Sequence, residues 1–497
     1  MPSGENIAVH TFSIMWTEPM RRVLTELQQR RLLHRLLAIA EQGGVELYVV
    51  GGALRDICRG HPAQDLDLAM TGDVMGFAQG VANHLGAAYV PMDTVRGEAR
   101  VVYRKRDILD FAQFKGDSII ADLHHRDFTI NAMACPLAML LTRAAPEIID
   151  PHGGWQDLGV RRIRMVSHLS FAEDPLRLLR AFRFAANLDF RLDPVTLAAM
   201  ETVVPRLREA AAERIHSELL KLFAARSSGP HLVTMARFGL LDTLFPELAA
   251  TRGIPCRPGQ PLDLFAHSIR TYQAVEALIN DPGLHLPTIA EAVRQYFQVE
   301  ERQALVKWAA LLHAIGTAME GPEASQEQAT ACGNSVSSAQ QWEQTGSRLK
   351  LSRKQIDLVK TFIAQNGRAL ELAMLEAQER LTLRFIYGWC KELGDSMLGV
   401  FVLALGHALA AGPEDTAGPS AVALGQLAAR IWDVYRRRIL PVITAPRLVT
   451  GRDLQQIFHL PPGPRFKSLL NELEVAQVEG QIRTRAEALQ WVEAQLP

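Results

Sequence analysis

The chain has 497 residues, too many for one ordinary core and enough for several domains. Lys and Arg number 53 against 54 Asp and Glu, a net charge of −1 that excludes a uniformly basic nucleic-acid coat and an acidic tail while leaving room for a local basic groove. The mix of 48% hydrophobic and 22% charged residues is globular, and five scattered cysteines (Cys58, Cys135, Cys256, Cys332, Cys390) without a CxxC pair argue against a disulfide framework and fit a reducing cytoplasm.

The first residues lack the basic-then-apolar pattern of a secretory leader. Leu24, Leu27, Leu32, Leu33, Leu36 and Leu37 recur at helical spacing and predict one helix over 23–42, closed by Gly43-Gly44. Short apolar runs predict strands at 47–50, 65–70, 99–103, 107–112 and 147–151, with helices such as 74–85 between them, hence a mixed α/β domain over about 45–151. Beyond residue 170 strand signals nearly stop. Helical patterns then run to the end, broken by expected loops at 251–262, 320–347 and 411–420. The most apolar stretch, MLGVFVLALGHALAAG at 397–412, is shorter than the ~20 residues of a spanning helix and carries His407, so a buried core helix of a soluble protein is expected.

Two of these segments carry chemistry. In VVGGALRD (49–56) a strand enters Gly51-Gly52 and then a helix, which offers backbone N–H groups and close approach to a phosphate, with Arg55 one turn on. In QDLDLAM (64–70), Asp65 and Asp67 share one strand face, an arrangement that suits a divalent cation; an isolated pair of this kind is more often two solvated acids on an edge strand. Asp110 is the best candidate for a third carboxylate from a neighbouring strand, with Asp107 its competitor.

The next segments are DLHHRDFTINAMA (122–134), DPHGGWQDL (150–158) and FAEDPLRLLRAFRF (171–184). With the two above, they resemble the class II tRNA nucleotidyltransferase and bacterial poly(A) polymerase superfamily, whose members share GGxxRD, DxD, RRDFTINAMA, DPxGGxxDL and EDPxRxLRAxRF. The likeness runs from about 45 to 223. It implies an α+β protein: a polymerase-β-like α/β head followed by an all-α neck, body and tail. The corresponding divisions are a leader (1–44), head (45–155), neck (156–225), body (226–440) and tail (441–497). It implies that Asp65, Asp67 and Asp110 hold Mg²⁺, that Gly51, Gly52 and Arg55 contact a triphosphate, and that Arg126 and Asp127 meet the phosphates and the ribose 2′-OH. His125 replaces the family's first arginine, and its charge near neutral pH is conditional.

Pro175 suits the first turn of a helix with Asp174 as its N-cap, and Asp174 and Arg177 then lie three apart on one face. A carboxylate acceptor beside a guanidinium fork matches the Watson–Crick edge of C or A, and family members read the base in this way. A capping pair with a local salt bridge is the plainer alternative. Glu173, Arg180 and Arg183 extend the set as supports for nucleotide or RNA. The partners implied are the 3′ end of tRNA, CTP and ATP, in the cytoplasm and away from membranes. A poly(A) polymerase fits less well with a near-neutral chain, and a silent RNA-binding module less well with intact carboxylates.

Only 15 residues, FAQFKGDSIIADLHH (111–125), separate Asp110 from Arg126, and Lys115 stands where the family has arginine. Family members that complete CCA usually carry a longer loop here; the shortened one resembles enzymes that add two cytidines only. In the body, DLFAHSIRTY and KWAALLHAIGTA are similar to the HD phosphohydrolase domain, but the aspartate of its His-Asp pair is Ala314. His267 and His313 alone cannot hold a hard divalent ion, so a scaffold without phosphohydrolase chemistry is expected. In the tail, Arg465 and Lys467 open a helix after a Pro/Gly turn, a candidate phosphate contact for tRNA.

Overall fold

The computed structural model describes residues 11–12, 14–63, 65–256, 262–319, 335–412 and 418–496. The chain forms two compact units that divide at 211/212, inside the segment expected to be the neck.

The first unit is built on an eight-stranded sheet. Its strands are β1 (Thr11–Phe12), β2 (Tyr48–Val50), β3 (Asp65–Met70), β4 (Ala88–Asp93), β5 (Glu98–Tyr103), β6 (Asp107–Gln113), β7 (Ala134–Pro136) and β8 (Ile148–Ile149), in the order β1-β8-β7-β2-β3-β6-β5-β4. β3 and β6 run parallel; the other pairs are antiparallel. Alternation does the sorting: Leu66, Leu68, Leu109 and Phe111 are buried on one face, so Asp65, Asp67 and Asp110 take the other. The predicted strands at 47–50, 65–70, 99–103, 107–112 and 147–151 each overlap an observed one, to within a residue at either end for β5 and β6. β4 gave no sequence signal because it is a largely exposed edge strand interrupted by Pro91.

The predicted helix over 23–42 is two helices, α1 (Glu18–Gln28) and α2 (Arg31–Gln42). The break has tertiary causes. The Gln28 side chain donates to the carbonyls of Leu140 and Arg143 at 2.9 Å each, and Arg30, in extended conformation, pairs with Asp107. Asp107, an odd number of residues from Asp110 along β6, faces the other side of the sheet from Asp110. Further helices of this unit are α3 (Gly51–Cys58), α4 (Val74–Leu85), α5 (Ile119–His124) and α6 (Arg177–Leu188).

The second unit is helical. It includes α7 (Leu264–Asn280), α8 (Glu300–Leu312), α9 (Ser335–Arg348), α10 (Arg353–Ala377), α11 (Met397–Ala411) and α12 (Pro464–Val478). The expected loop over 320–347 is wrong in its second half: α9 forms there because Trp342 is fully buried and donates its indole N–H to Ile356 at 3.0 Å, a single anchor in an otherwise polar stretch. Residues 320–334 lie outside the described residues. The apolar helix α11 is buried along most of its length and packs against α7 and α10, as a core helix does. The tail helix α12 begins at Pro464, so Arg465 and Lys467 lie in its first turn.

Candidate active site

β2 runs straight into α3. Val50 is extended and Gly51 adopts φ +64°, a left-handed turn that a side chain would strain. A Cβ at Gly51 would also stand 3.1 Å from Asp67 Oδ2 and 3.2 Å from Arg126 Nη1. The turn therefore opens onto a carboxylate and a guanidinium. Asp67 Oδ2 accepts the Ala53 N–H at 3.2 Å and so occupies the start of α3. Burial pushes the Asp67 carboxyl pKa up, and Asp110 adds to the rise; the Ala53 N–H and Arg126 pull against it.

Parallel register seats Asp67 directly beside Asp110, and the antiparallel β5 seats Arg100 on the far side of Asp110. Arg100 grips Asp110 with both prongs, Nε to Oδ1 at 2.7 Å and Nη2 to Oδ2 at 2.8 Å. Arg126 is held four residues from Asp122, whose Oδ2 accepts from Nε at 3.1 Å and Nη2 at 2.8 Å. Asp65, Asp67 and Asp110 thus lie on one face of the sheet as a set of oxygen donors with guanidinium countercharge at hand, though among the described residues the only three potential ligands drawn within 4.8 Å of one another are in the second unit. Hard divalent cations such as Mg²⁺ take such a set.

Asp127 is buried and all its acceptor positions are filled. Oδ1 takes the Phe128 N–H (2.8 Å) and Asn131 Nδ2 (3.0 Å), while Oδ2 takes Arg180 Nε (2.9 Å) and Nη2 (2.6 Å). Burial works to raise its pKa, but Arg180 and these hydrogen bonds outweigh it and hold the carboxyl at about 2. Asn131 also accepts from Arg55 Nη1 at 2.9 Å, and the rest of the Arg55 fork lies on Asp56 at 2.9 and 3.0 Å. Arg55, expected at the triphosphate, is 8% exposed and directed inward.

Arg177 is anchored as firmly. Nη1 donates to the carbonyl (3.1 Å) and hydroxyl (2.9 Å) of Ser170 and to Glu173 Oε2 (3.3 Å), and Nη2 donates to the His125 carbonyl at 2.7 Å. His125 Nδ1 lies 3.4 Å from Glu173 Oε1. Asp174 does cap, accepting the Leu176 N–H at 3.1 Å, but residues 174–176 form a separate turn and α6 starts at Arg177, with Leu176 in the capping position. The guanidinium carbons of Arg180 and Arg183 lie 5.4 and 3.9 Å from the Phe184 ring centre.

DPHGGWQDL is the brace behind these groups. Asp150 accepts the N–H groups of Gly154 (2.7 Å) and Trp155 (2.8 Å), and Asp157 accepts Thr129 Oγ1 at 2.6 Å with Arg162 and Arg164 beside it. Gly154 packs on the Thr129 carbonyl so closely that a Cβ would overlap it. Residues 127–131 are pinned by these contacts.

Sequence reading missed Arg100, Asp122 and Asn131. The i,i+4 spacings Asp122–Arg126 and Asp127–Asn131 carried a local signal for two of them; Arg100 is placed by strand register alone. In the second unit His267 and His313 are joined by His407, their ligand nitrogens all within 4.8 Å of one another. Burial and the neighbouring His407 push the His313 pKa down to about 3.

Comparison with known proteins bears on the family and the fold. Residues 47–164 match the "Poly A polymerase head domain" family, 189–251 the "Probable RNA and SrmB- binding site of polymerase A", and 425–492 a tRNA nucleotidyltransferase domain 2. The chain is 30% identical to the CC-adding tRNA nucleotidyltransferase of Geobacter sulfurreducens, covering 92% of this chain and 94% of that protein. It is 29% identical to the A-adding tRNA nucleotidyltransferase of Deinococcus radiodurans, over 90% and 94%. Its fold is similar to the Thermotoga maritima CCA-adding enzyme complexed with tRNA, with TM-score 0.63 and 21% identity over 96% of this chain and 98% of that one.

Proposed function

The chain belongs to the tRNA nucleotidyltransferase family, and we propose that it extends the 3′ end of tRNA without a nucleic-acid template, as a cytoplasmic, Mg²⁺-dependent enzyme that transfers cytidylate from CTP and releases pyrophosphate. The observation that carries this reading is the β3–β6 register, which sets Asp67 beside Asp110 and against the Gly51 turn.

Asp65, Asp67 and Asp110 would hold Mg²⁺, which when bound neutralises phosphate charge and lowers the pKa of the attacking hydroxyl. The turn at Gly51-Gly52 lets the triphosphate approach the backbone, and Arg126 supplies a guanidinium beside it. Arg55 supports the site from behind by fixing Asn131. Asp127 receives the ribose 2′-hydroxyl in exchange for an Arg180 bond, since its four acceptor positions are otherwise filled. Arg177, with Asp174, presents donor and acceptor to the base edge; the carbonyls U O4 and G O6 would face a carboxylate and be rejected.

Identities of 30% and 29% do not separate C from A addition. The short connection does favour the former: between β6 and α5 only residues 114–118 remain, too few for a loop that remodels the pocket for ATP. The test supplies tRNA lacking its 3′ end with CTP, then CTP and ATP, and tRNA ending in CC with ATP, followed by sequencing of the product ends. Two cytidines and no adenosine are expected. Adenosine on the CC-ending tRNA alone would make this chain the A-adding partner, and no incorporation would end the enzymatic reading.

A further inference from the structure

The second unit gathers three imidazoles from three helices. His267 lies in the first turn of α7, His313 directly follows α8, and His407 lies on α11. All are buried, at 4%, 1% and 4% exposure, and their ring centres are 4.7–5.4 Å apart. His407 Nδ1 and His313 Nε2 are separated by 3.1 Å.

The surroundings fix the chemistry of these rings. His313 Nδ1 lies 2.9 Å from the Ala310 carbonyl, which can only accept, so Nδ1 carries the proton and the Nε2 lone pair faces the cluster. A backbone carbonyl that orients a histidine in this way is the usual outer partner of a metal ligand. His267 Nε2 lies 3.4 Å from Thr271 Oγ1, whose own hydrogen goes to the His267 carbonyl at 2.9 Å. The hydroxyl is therefore left to accept from Nε2.

We propose that His267, His313 and His407 bind one borderline-soft divalent transition metal ion of the Zn²⁺ kind. Zn–N bonds of ~2.0–2.1 Å in a tetrahedron need nitrogens about 3.3 Å apart, a spacing that one pair already meets, with a nitrogen of the third ring within 4.8 Å of both. An all-nitrogen set selects against Mg²⁺ and Ca²⁺, which need oxygen donors. The Ala314 position, where the HD pattern would place a carboxylate, offers none, and His407 supplies the third ligand instead. Binding replaces the hydrogen shared by His407 and His313, and His407 then carries its proton on Nε2. Three protein ligands leave one coordination position for a water-derived ligand, which also reduces the buried positive charge.

The site is independent of the nucleotidyl-transfer reading. The full chain, stripped with a chelator and held in excess Mg²⁺ to saturate the head carboxylates, is titrated with Zn²⁺ by calorimetry and with Co²⁺ by visible spectroscopy. One equivalent of Zn²⁺ is expected, with the intense absorption of tetrahedral Co²⁺ and a Zn²⁺-dependent rise in melting temperature. His407→Leu and His313→Gln should each lose the equivalent and the rise, while Asp65→Asn/Asp67→Asn keeps both. Absence of the Co²⁺ bands in the unmutated chain overturns the proposal without reliance on any variant. So does a Zn²⁺ equivalent that survives both histidine changes.

Discussion

The head and the body each draw polar side chains together, and they do so with opposite chemistry. In the head, Asp110, Asp122 and Asp127 are paired with Arg100, Arg126 and Arg180, and Asp67 lies close to the Arg126 guanidinium, carboxylates balanced against guanidiniums. In the body, three imidazoles meet in the interior, and their neighbours include carbonyls, a hydroxyl and one another. A site built from charge can remain half-exposed and exchange partners during turnover. One built from buried lone pairs is committed to a single occupant. The two clusters therefore suit different cations, a hard one in the head and a borderline one in the body.

The sharpest way to break this comparison lies in the head. Asp67→Asn keeps an acceptor for the Ala53 N–H and removes the charge, so CTP incorporation should fall by roughly 10³-fold or more while the melting temperature stays within a few degrees. Retained incorporation would show that the head does not work through its carboxylates. The brace comes next. In Gly154→Ala the new methyl meets the Thr129 backbone, which cannot turn aside, so a loss of about 2–3 kcal/mol and a melting point roughly 5–10 °C lower are expected in calorimetry.

The acid limb isolates the ionic character of the head. With its pKa lowered from 3.8 to about 2, Asp127 stabilises the fold fully above about pH 5, and that contribution is lost as pH falls toward 2. The buried group contributes roughly 2 kcal/mol, at about 1.4 kcal/mol per pKa unit. Urea midpoints at pH 6 and pH 3 should differ more for the unmutated chain than for Asp127→Asn; parallel slopes would remove Asp127 from the account. The smallest effect is on selection. Arg177→Ala should cut discrimination against UTP by about 10-fold to 100-fold, the worth of one base-edge contact, and an unchanged CTP/UTP ratio would reassign Arg177 to architecture.

The same contrast explains what could be read in advance. Residues of the head lie in contiguous motifs, where period 2 places Asp65 and Asp67 on one face and the glycine pair marks a turn, so the carboxylates, the α/β head and most of its strands were legible from 45 to 151. Cross-strand facts were not: Arg100 reaches Asp110 through register, and the break between α1 and α2 depends on Leu140 and Arg143, over a hundred residues away. His407 was hidden for the same reason. In its own segment it is one polar residue in an apolar helix, and only the packing of α11 against α7 brings it to His267.

Arg177 has a consequence of another kind. Tied to Ser170, Glu173 and the His125 carbonyl, its guanidinium is fixed in orientation by the protein. If that edge chooses the nucleotide, the short message written onto each tRNA is stored in a protein wall, and its error rate is a matter of thermal looseness. Warming would then blur the message before it slows the writing.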